Sequence, residues 1–223
     1  MRSSASNAAY SAPSLVIRNA SQVRPGDPVG QADIAVQNAN HSLSYYFAKL
    51  HGGWRAARIL GSVHQVYSAP SLVVLTGKTD GRDEGGIEIA FEGPGHSLKE
   101  FVNVNGWVLA PLLGSGSVYS APSIAQGDAS RETEIAFQAA DRTLQLYLVD
   151  SVTIVGILQA NFTVSSAPVL INRGSHPAGE ADIVYQSTTN ALWYYHAPQP
   201  ALPSDTPSFT GTRVAGAGST FGG

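Results

Sequence analysis

Short stretches of alternating apolar and polar residues recur along the chain, separated by clusters of Gly, Pro, Asn and Ser. Alternation with a period of two places successive side chains on opposite faces of a strand. In Asp33-Ile34-Ala35-Val36-Gln37 it puts Ile34 and Val36 on one face and Asp33, Ala35 and Gln37 on the other. The same pattern returns as Glu88-Ile89-Ala90-Phe91-Glu92, Glu134-Ile135-Ala136-Phe137-Gln138 and Asp182-Ile183-Val184-Tyr185-Gln186. Ten residues after each acid stands a Leu (Leu43, Leu98, Leu144, Leu192), and three residues later an aromatic (Tyr46, Phe101, Tyr147, Tyr195). Each such stretch predicts a strand followed by a second strand rich in aromatic residues. No stretch carries the spacing of an amphipathic helix.

A second signature precedes each copy. Tyr10-Ser11-Ala12-Pro13-Ser14-Leu15-Val16 recurs as Tyr67-Ser68-Ala69-Pro70-Ser71-Leu72-Val73, as Tyr119-Ser120-Ala121-Pro122-Ser123-Ile124, and more loosely as Ser165-Ser166-Ala167-Pro168-Val169-Leu170. Proline is tolerated there because it opens the strand. A fourth strand is predicted over Trp54–Leu60, Trp107–Leu113, Thr153–Leu158 and roughly Phe209–Ala215. The chain thus reads as four repeats, about 10–66, 67–118, 119–164 and 165–221. A four-stranded unit cannot bury both faces alone, and stacking such units about an axis does. The expectation is an all-β propeller, four blades of four antiparallel strands in a single domain over residues 1–223, with the first strand beside the last repeat. Phe221-Gly222-Gly223 falls where a fifth Tyr-Ser-Ala would begin, which fits four complete units.

Composition narrows the function. The net charge is −3 and no basic run occurs, so the electrostatic footprint for nucleic acid or an anionic membrane is missing. Charged residues are only 13%, about half the usual share, so surface polarity rests on Ser, Thr, Asn, Gln and Gly. Cysteine is absent, which excludes disulfides, thiolate metal sites and a cysteine nucleophile. No apolar run approaches membrane-helix length. No apolar stretch of an export signal follows Met1-Arg2-Ser3-Ser4-Ala5, which leaves the compartment open.

The repeat resembles the blades of bacterial and fungal lectin-like propellers, the fucose-binding and tachylectin-type lectins. Matching elements are Ser68-Ala69-Pro70, Glu88-Ile89-Ala90-Phe91, Ser97-Leu98, Gly106-Trp107 and Leu113-Gly114, and in the first repeat Ser11-Ala12-Pro13, Ser42-Leu43, Gly53-Trp54 and Leu60-Gly61. The resemblance implies glycan binding in pockets between neighbouring blades, with no catalysis and no cofactor. Two departures stand out. The fourth strand lacks its Trp in the third and fourth repeats, and the lectins usually have more than four blades. A protein-interaction scaffold, or a four-bladed hemopexin-like binder of a cation or small ligand, is the alternative. If four blades do not close alone, a homo-oligomer would complete the ring.

Trp54, Trp107 and Trp193 are candidates to stack on a sugar ring, and equally to wedge between blades as core. His41 and His96 share a turn position, filled by Arg142 and Asn190 elsewhere, from which they could hydrogen-bond sugar hydroxyls or simply meet solvent. Arg58, with Arg55 and Arg213, lies in a fourth strand that could line a groove between blades. Asp33, Glu88, Glu134 and Asp182 would form a ring able to hold a cation on the axis, or each would accept backbone hydrogen bonds as a structural device. The Gln37, Glu92, Gln138 and Gln186 column is read the same way. No nucleophile elbow, phosphate loop or His-Glu-x-x-His helix is present. Repetition in every unit favours a structural role, so binding residues are expected where the repeats disagree.

Overall fold

The computed structural model describes residues 9–19, 29–49, 53–60, 64–75, 85–103, 106–127, 133–149, 152–157, 163–172, 180–198 and 209–218. The side chains of residues 49, 55–59, 155, 172, 180, 197 and 198 lie outside that description. Among the described residues the protein is all-β, with four antiparallel four-stranded sheets and no helix. The first sheet runs β1 (Ser14–Ile17), β2 (Ala32–Gln37), β3 (Leu43–Lys49), β4 (Gly53–Leu60). The second runs β5 (Ser71–Val74), β6 (Ile87–Gly93), β7 (Ser97–Asn103), β8 (Trp107–Leu113). The third has β9 (Ser123–Gln126), β10 (Thr133–Gln138), β11 (Leu144–Leu148) and β12 (Thr153–Gly156). The fourth has β13 (Val169–Asn172), β14 (Glu180–Gln186), β15 (Leu192–Pro198) and β16 (Thr210–Ala215). Each sheet is therefore one repeat, its strands paired in sequence order. Two compact units result, Met1–Gly116 and Ser117–Gly223, with two sheets in each.

The repeated residues have identifiable tasks. In Ser-Ala-Pro the Ser Oγ accepts a hydrogen bond from the backbone N–H of the Gln or Glu that ends the second strand. The distances are 3.3 Å for Ser11–Gln37, 3.0 Å for Ser68–Glu92, 3.1 Å for Ser120–Gln138 and 3.0 Å for Ser166–Gln186. The carbonyl of that same residue accepts from the N–H just before the motif, at Tyr10, Tyr67, Tyr119 and Ser165. Both backbone groups of the residue that ends the second strand, buried at Gln37 and half-buried in the other three repeats, are thus satisfied. The turn between second and third strands carries a left-handed residue in every repeat: His41 (φ 58°), His96 (φ 63°), Arg142 (φ 65°) and Asn190 (φ 56°). His41, Arg142 and Asn190 each donate their N–H to the carbonyl three residues back. That is the three-residue hairpin loop, whose last position needs positive φ.

In the first unit, the second sheet packs on one face of the first. The face of the first sheet turned toward it, here called trailing, carries Val16, Ala35, Leu43 and Tyr45. The face of the second sheet turned back, here called leading, carries Leu72, Val74, Ile87, Ile89, Phe91 and Phe101. Together these build one apolar core, with Leu60 and Val66. Ser14 Oγ of β1 accepts from the Leu72 N–H of β5 at 2.9 Å, fixing how the two inner strands meet.

The second unit repeats the arrangement. Ala125, Ala136, Leu144 and Leu146 of the third sheet pack on Leu170, Ala181, Ile183, Tyr185 and Tyr195 of the fourth. Ser123 Oγ accepts from the Leu170 N–H, again at 2.9 Å. Gly211 is required there, since a Cβ would lie 2.6–2.9 Å from the ring of Tyr195 on the paired strand. Truncating a buried residue such as Ile89 or Ile183 to Ala is a change of about 2–5 kcal/mol in a packed core.

Candidate functional site

Two clusters lie where the first and second sheets meet, and they differ in access. The inner cluster begins with Asp33, which β2 points to the trailing face. Asp33 accepts from Arg18 Nε at 2.6 Å and Nη2 at 3.2 Å, from Gln31 Nε2 at 3.0 Å, and from the Tyr45 hydroxyl. Arg18 also donates through Nη1 to the Gly85 carbonyl of the second repeat at 3.2 Å. Burial disfavours the guanidinium charge, but the bonds and charge of Asp33 outweigh it, and the Arg18 pKa lies above its ordinary value. Burial, then the Asp33 charge, push the Tyr45 phenol well above its usual range, so Tyr45 remains a hydrogen-bond donor. Trp107, at the start of β8, sets its ring edge-on to Tyr45, with centroids 5.0 Å apart. Arg18 and Asp33 are both buried, so this cluster ties the sheets together and leaves little to offer a ligand.

The outer cluster is accessible. His41, held in its left-handed turn, stacks on Tyr67 of the second repeat, centroids 4.7 Å apart and planes 16° apart. Tyr10 meets the same imidazole edge-on at 5.9 Å, and His64 lies at 6.1 Å. Tyr10 and Tyr67 are exposed, as is His64. Gln37 Nε2 donates to the Val66 carbonyl at 2.7 Å and lies 2.9 Å from His41 Nδ1, which is itself 2.9 Å from that carbonyl. Whichever tautomer forms, Nδ1 is engaged and Nε2 keeps one hydrogen-bonding role. The result is a small platform of aromatic faces edged by hydroxyl and imidazole groups.

The other expected site residues disperse. Trp54 is exposed on β4, opposite Ala48. Trp193 packs against the core of the second unit, 6.4 Å from Tyr195. His96 is exposed and pairs with Glu92 at 2.6 Å. The side chains of Arg55 and Arg58 lie outside the described residues. Arg213 is exposed on β16, opposite Trp193. Asp33, Glu88, Glu134 and Asp182 are all buried. Asp182 accepts from Tyr194 at 2.5 Å and lies 3.0 Å from His196 Nδ1. Among the described residues no three His, Cys, Asp or Glu side chains are grouped to hold a metal ion. Gln37 and Gln138 act alike, each donating to a carbonyl at the end of its own repeat, Val66 and Val164.

Sequence reasoning missed Arg18, Tyr10, Tyr67 and His64. The signal for Arg18 was weak, because its position is filled by Leu75 and Gly127 in the second and third repeats and by Arg173 in the fourth. The tyrosines looked like framework because they recur.

Neither a family model nor a curated protein matches the chain. Solved structures do. The BP39L lectin from Burkholderia pseudomallei superposes with a TM-score of 0.73 at 14% identity, over 96% of this chain and 58% of that one. The Aleuria aurantia lectin, solved with Fucα1-6GlcNAc, gives a TM-score of 0.59 at 17% identity, over 92% and 62%. AofleA from Arthrobotrys oligospora, as a triple arginine-to-alanine mutant, gives 0.60 at 12% identity, over 92% and 57%. The fold is therefore shared with bacterial and fungal lectins, as the blade pattern led us to expect. The chain spans about three-fifths of the length of these structures.

Proposed function

We propose that the protein is a non-catalytic, lectin-like carbohydrate-binding protein, and that Tyr10, His41, His64 and Tyr67 form one of its sites between neighbouring repeats. The observation that carries this reading is the outer cluster: exposed aromatic faces next to hydrogen-bonding edges. A sugar ring offers an apolar C–H face and a rim of hydroxyls, and it needs both kinds of partner. The lectin fold of the solved structures supports the class of ligand. Repetition of the frame would supply several such sites, and weak sites acting together on a glycan surface gain about 10²–10⁴-fold in avidity.

A glycan array followed by titration of the best monosaccharide tests this. Tyr67→Ala and His41→Ala are expected to weaken binding at least tenfold, while Trp107→Ala changes it little. Loss of binding only in Trp107→Ala would move the site to the inner cluster. Failure to bind any glycan would end the lectin reading and leave an interaction scaffold.

A further inference from the structure

The repeat allows each face to be compared with its own equivalents, and two faces do not match theirs. On the leading face of the second sheet, Leu72 and Val74 are 5% and 1% exposed, covered by the first sheet. Their equivalents in the first sheet, Leu15 and Ile17, are 56% and 59% exposed. Beside them Ile34 and Tyr46 are only half-buried, whereas Ile89 and Phe101 are buried.

At the other end, the trailing face of the third sheet presents Ser123, Ala125 and Ala136 to the fourth sheet, none of them exposed. Their equivalents in the fourth sheet are Val169, Ile171 and Val184. Val169 and Ile171 are 57% and 53% exposed, and Val184 is half-buried. Small residues have given way to larger β-branched ones on this uncovered face. The Ser Oγ that elsewhere binds the next inner strand is gone, leaving apolar surface.

Exposed apolar residues clustered on one face mark an interface, and the repeat identifies the complement. Within each unit a trailing face receives a leading face, so the trailing face of the fourth sheet fits the leading face of a first sheet. We infer that Val169, Ile171 and Val184 of one chain pack on Leu15, Ile17 and Ile34 of a second copy. A head-to-tail contact of this kind closes into a ring or grows without limit. Two chains bring eight sheets, the upper end of the usual range of about four to eight blades, so a closed dimer is the expected assembly.

The absence of cysteine makes a clean test. Leu15→Cys and Val169→Cys occupy the positions equivalent to Leu72 and Ser14, which touch within the first unit. Chains carrying one substitution each are mixed, oxidised and run without reductant. A covalent species at twice 23.3 kDa, formed only in the mixture, is the expected result. Wild-type light scattering should give the same mass, and Ile17→Glu should return the protein to a single chain without altering its circular dichroism. Three outcomes overturn the inference: a single-chain mass at every concentration, a crosslink in Leu15→Cys alone, or a purely intramolecular crosslink when both cysteines share a chain. The last would mean that the chain closes on itself.

Discussion

Asp33 in the first unit and Asp182 in the second hold the same place in their repeats, yet their surroundings differ. Asp33 is surrounded by Arg18, Gln31 and Tyr45, and Arg18 is 4% exposed. Asp182 is met by Tyr194 and His196, both only half-buried. A tyrosine twelve residues on, Tyr45 or Tyr194, donates to the acid in both, and the second partner differs. The partner decides what the acid is worth, because a buried cation has no water to fall back on and a half-exposed phenol or imidazole does.

The largest expected effect follows directly. Asp33→Ala strands the Arg18 charge between the sheets, and removing one member of a buried pair costs about 3–5 kcal/mol. Urea unfolding with a clear drop in midpoint checks this. Asp182→Ala removes bonds whose donors can turn to solvent, and a loss of about 1–3 kcal/mol is expected. Equal losses in the two variants would break the comparison.

A double substitution sharpens it. Arg18→Leu installs the residue that the second repeat already carries at Leu75. Combined with Asp33→Ala it removes both charges together, which for buried pairs is often near neutral. The double variant should therefore be more stable than Asp33→Ala alone, by about 1–3 kcal/mol of coupling. A double variant as unstable as the sum of the two single ones would show that the charges act separately.

Much of the architecture was legible because the repeat states it four times. The alternation in Asp33–Gln37 assigned Ile34 and Ala35 to opposite faces, and the structure keeps them there. Four strands per repeat were placed within a few residues, since Ser-Ala-Pro and the acid punctuate each one and a Gly-Trp turn adds to them in the first two. The candidate site was less legible. Its members are distant in sequence, Tyr10 to Tyr67, and meet only because Tyr67 opens the next repeat beside the turn of His41. Trp54, Trp107 and Trp193 attracted attention as large aromatics, yet periodicity does not say which rings face solvent. The reading that repeated positions only build the frame holds for the Ser-Ala-Pro serines and for Gln37. Tyr10 and Tyr67 recur too, and they are exposed.

The smallest effect concerns the column next to the acids, where the second repeat departs from the others. Gln37, Gln138 and Gln186 are neutral amides, and Glu92 is a half-buried carboxyl paired with the exposed His96. Burial raises the Glu92 pKa above its ordinary value, and the hydrogen bond and charge of His96 only partly oppose this. The folded state thus holds the Glu92 proton more tightly than the unfolded state does. Its contribution is fully present below the unfolded pKa and is lost as pH rises through the folded value. Above that window the ionised carboxylate is a liability that a glutamine would not share. Glu92→Gln should match the wild type near the bottom of this window and exceed it at neutral pH, by less than about 1 kcal/mol because the pair is partly solvated. Unfolding midpoints of the two proteins from acid to neutral pH check the sign. A gap that stays constant with pH, or a less stable Glu92→Gln at neutrality, would mean that the His96 pair outweighs burial and that the second repeat gains from its departure.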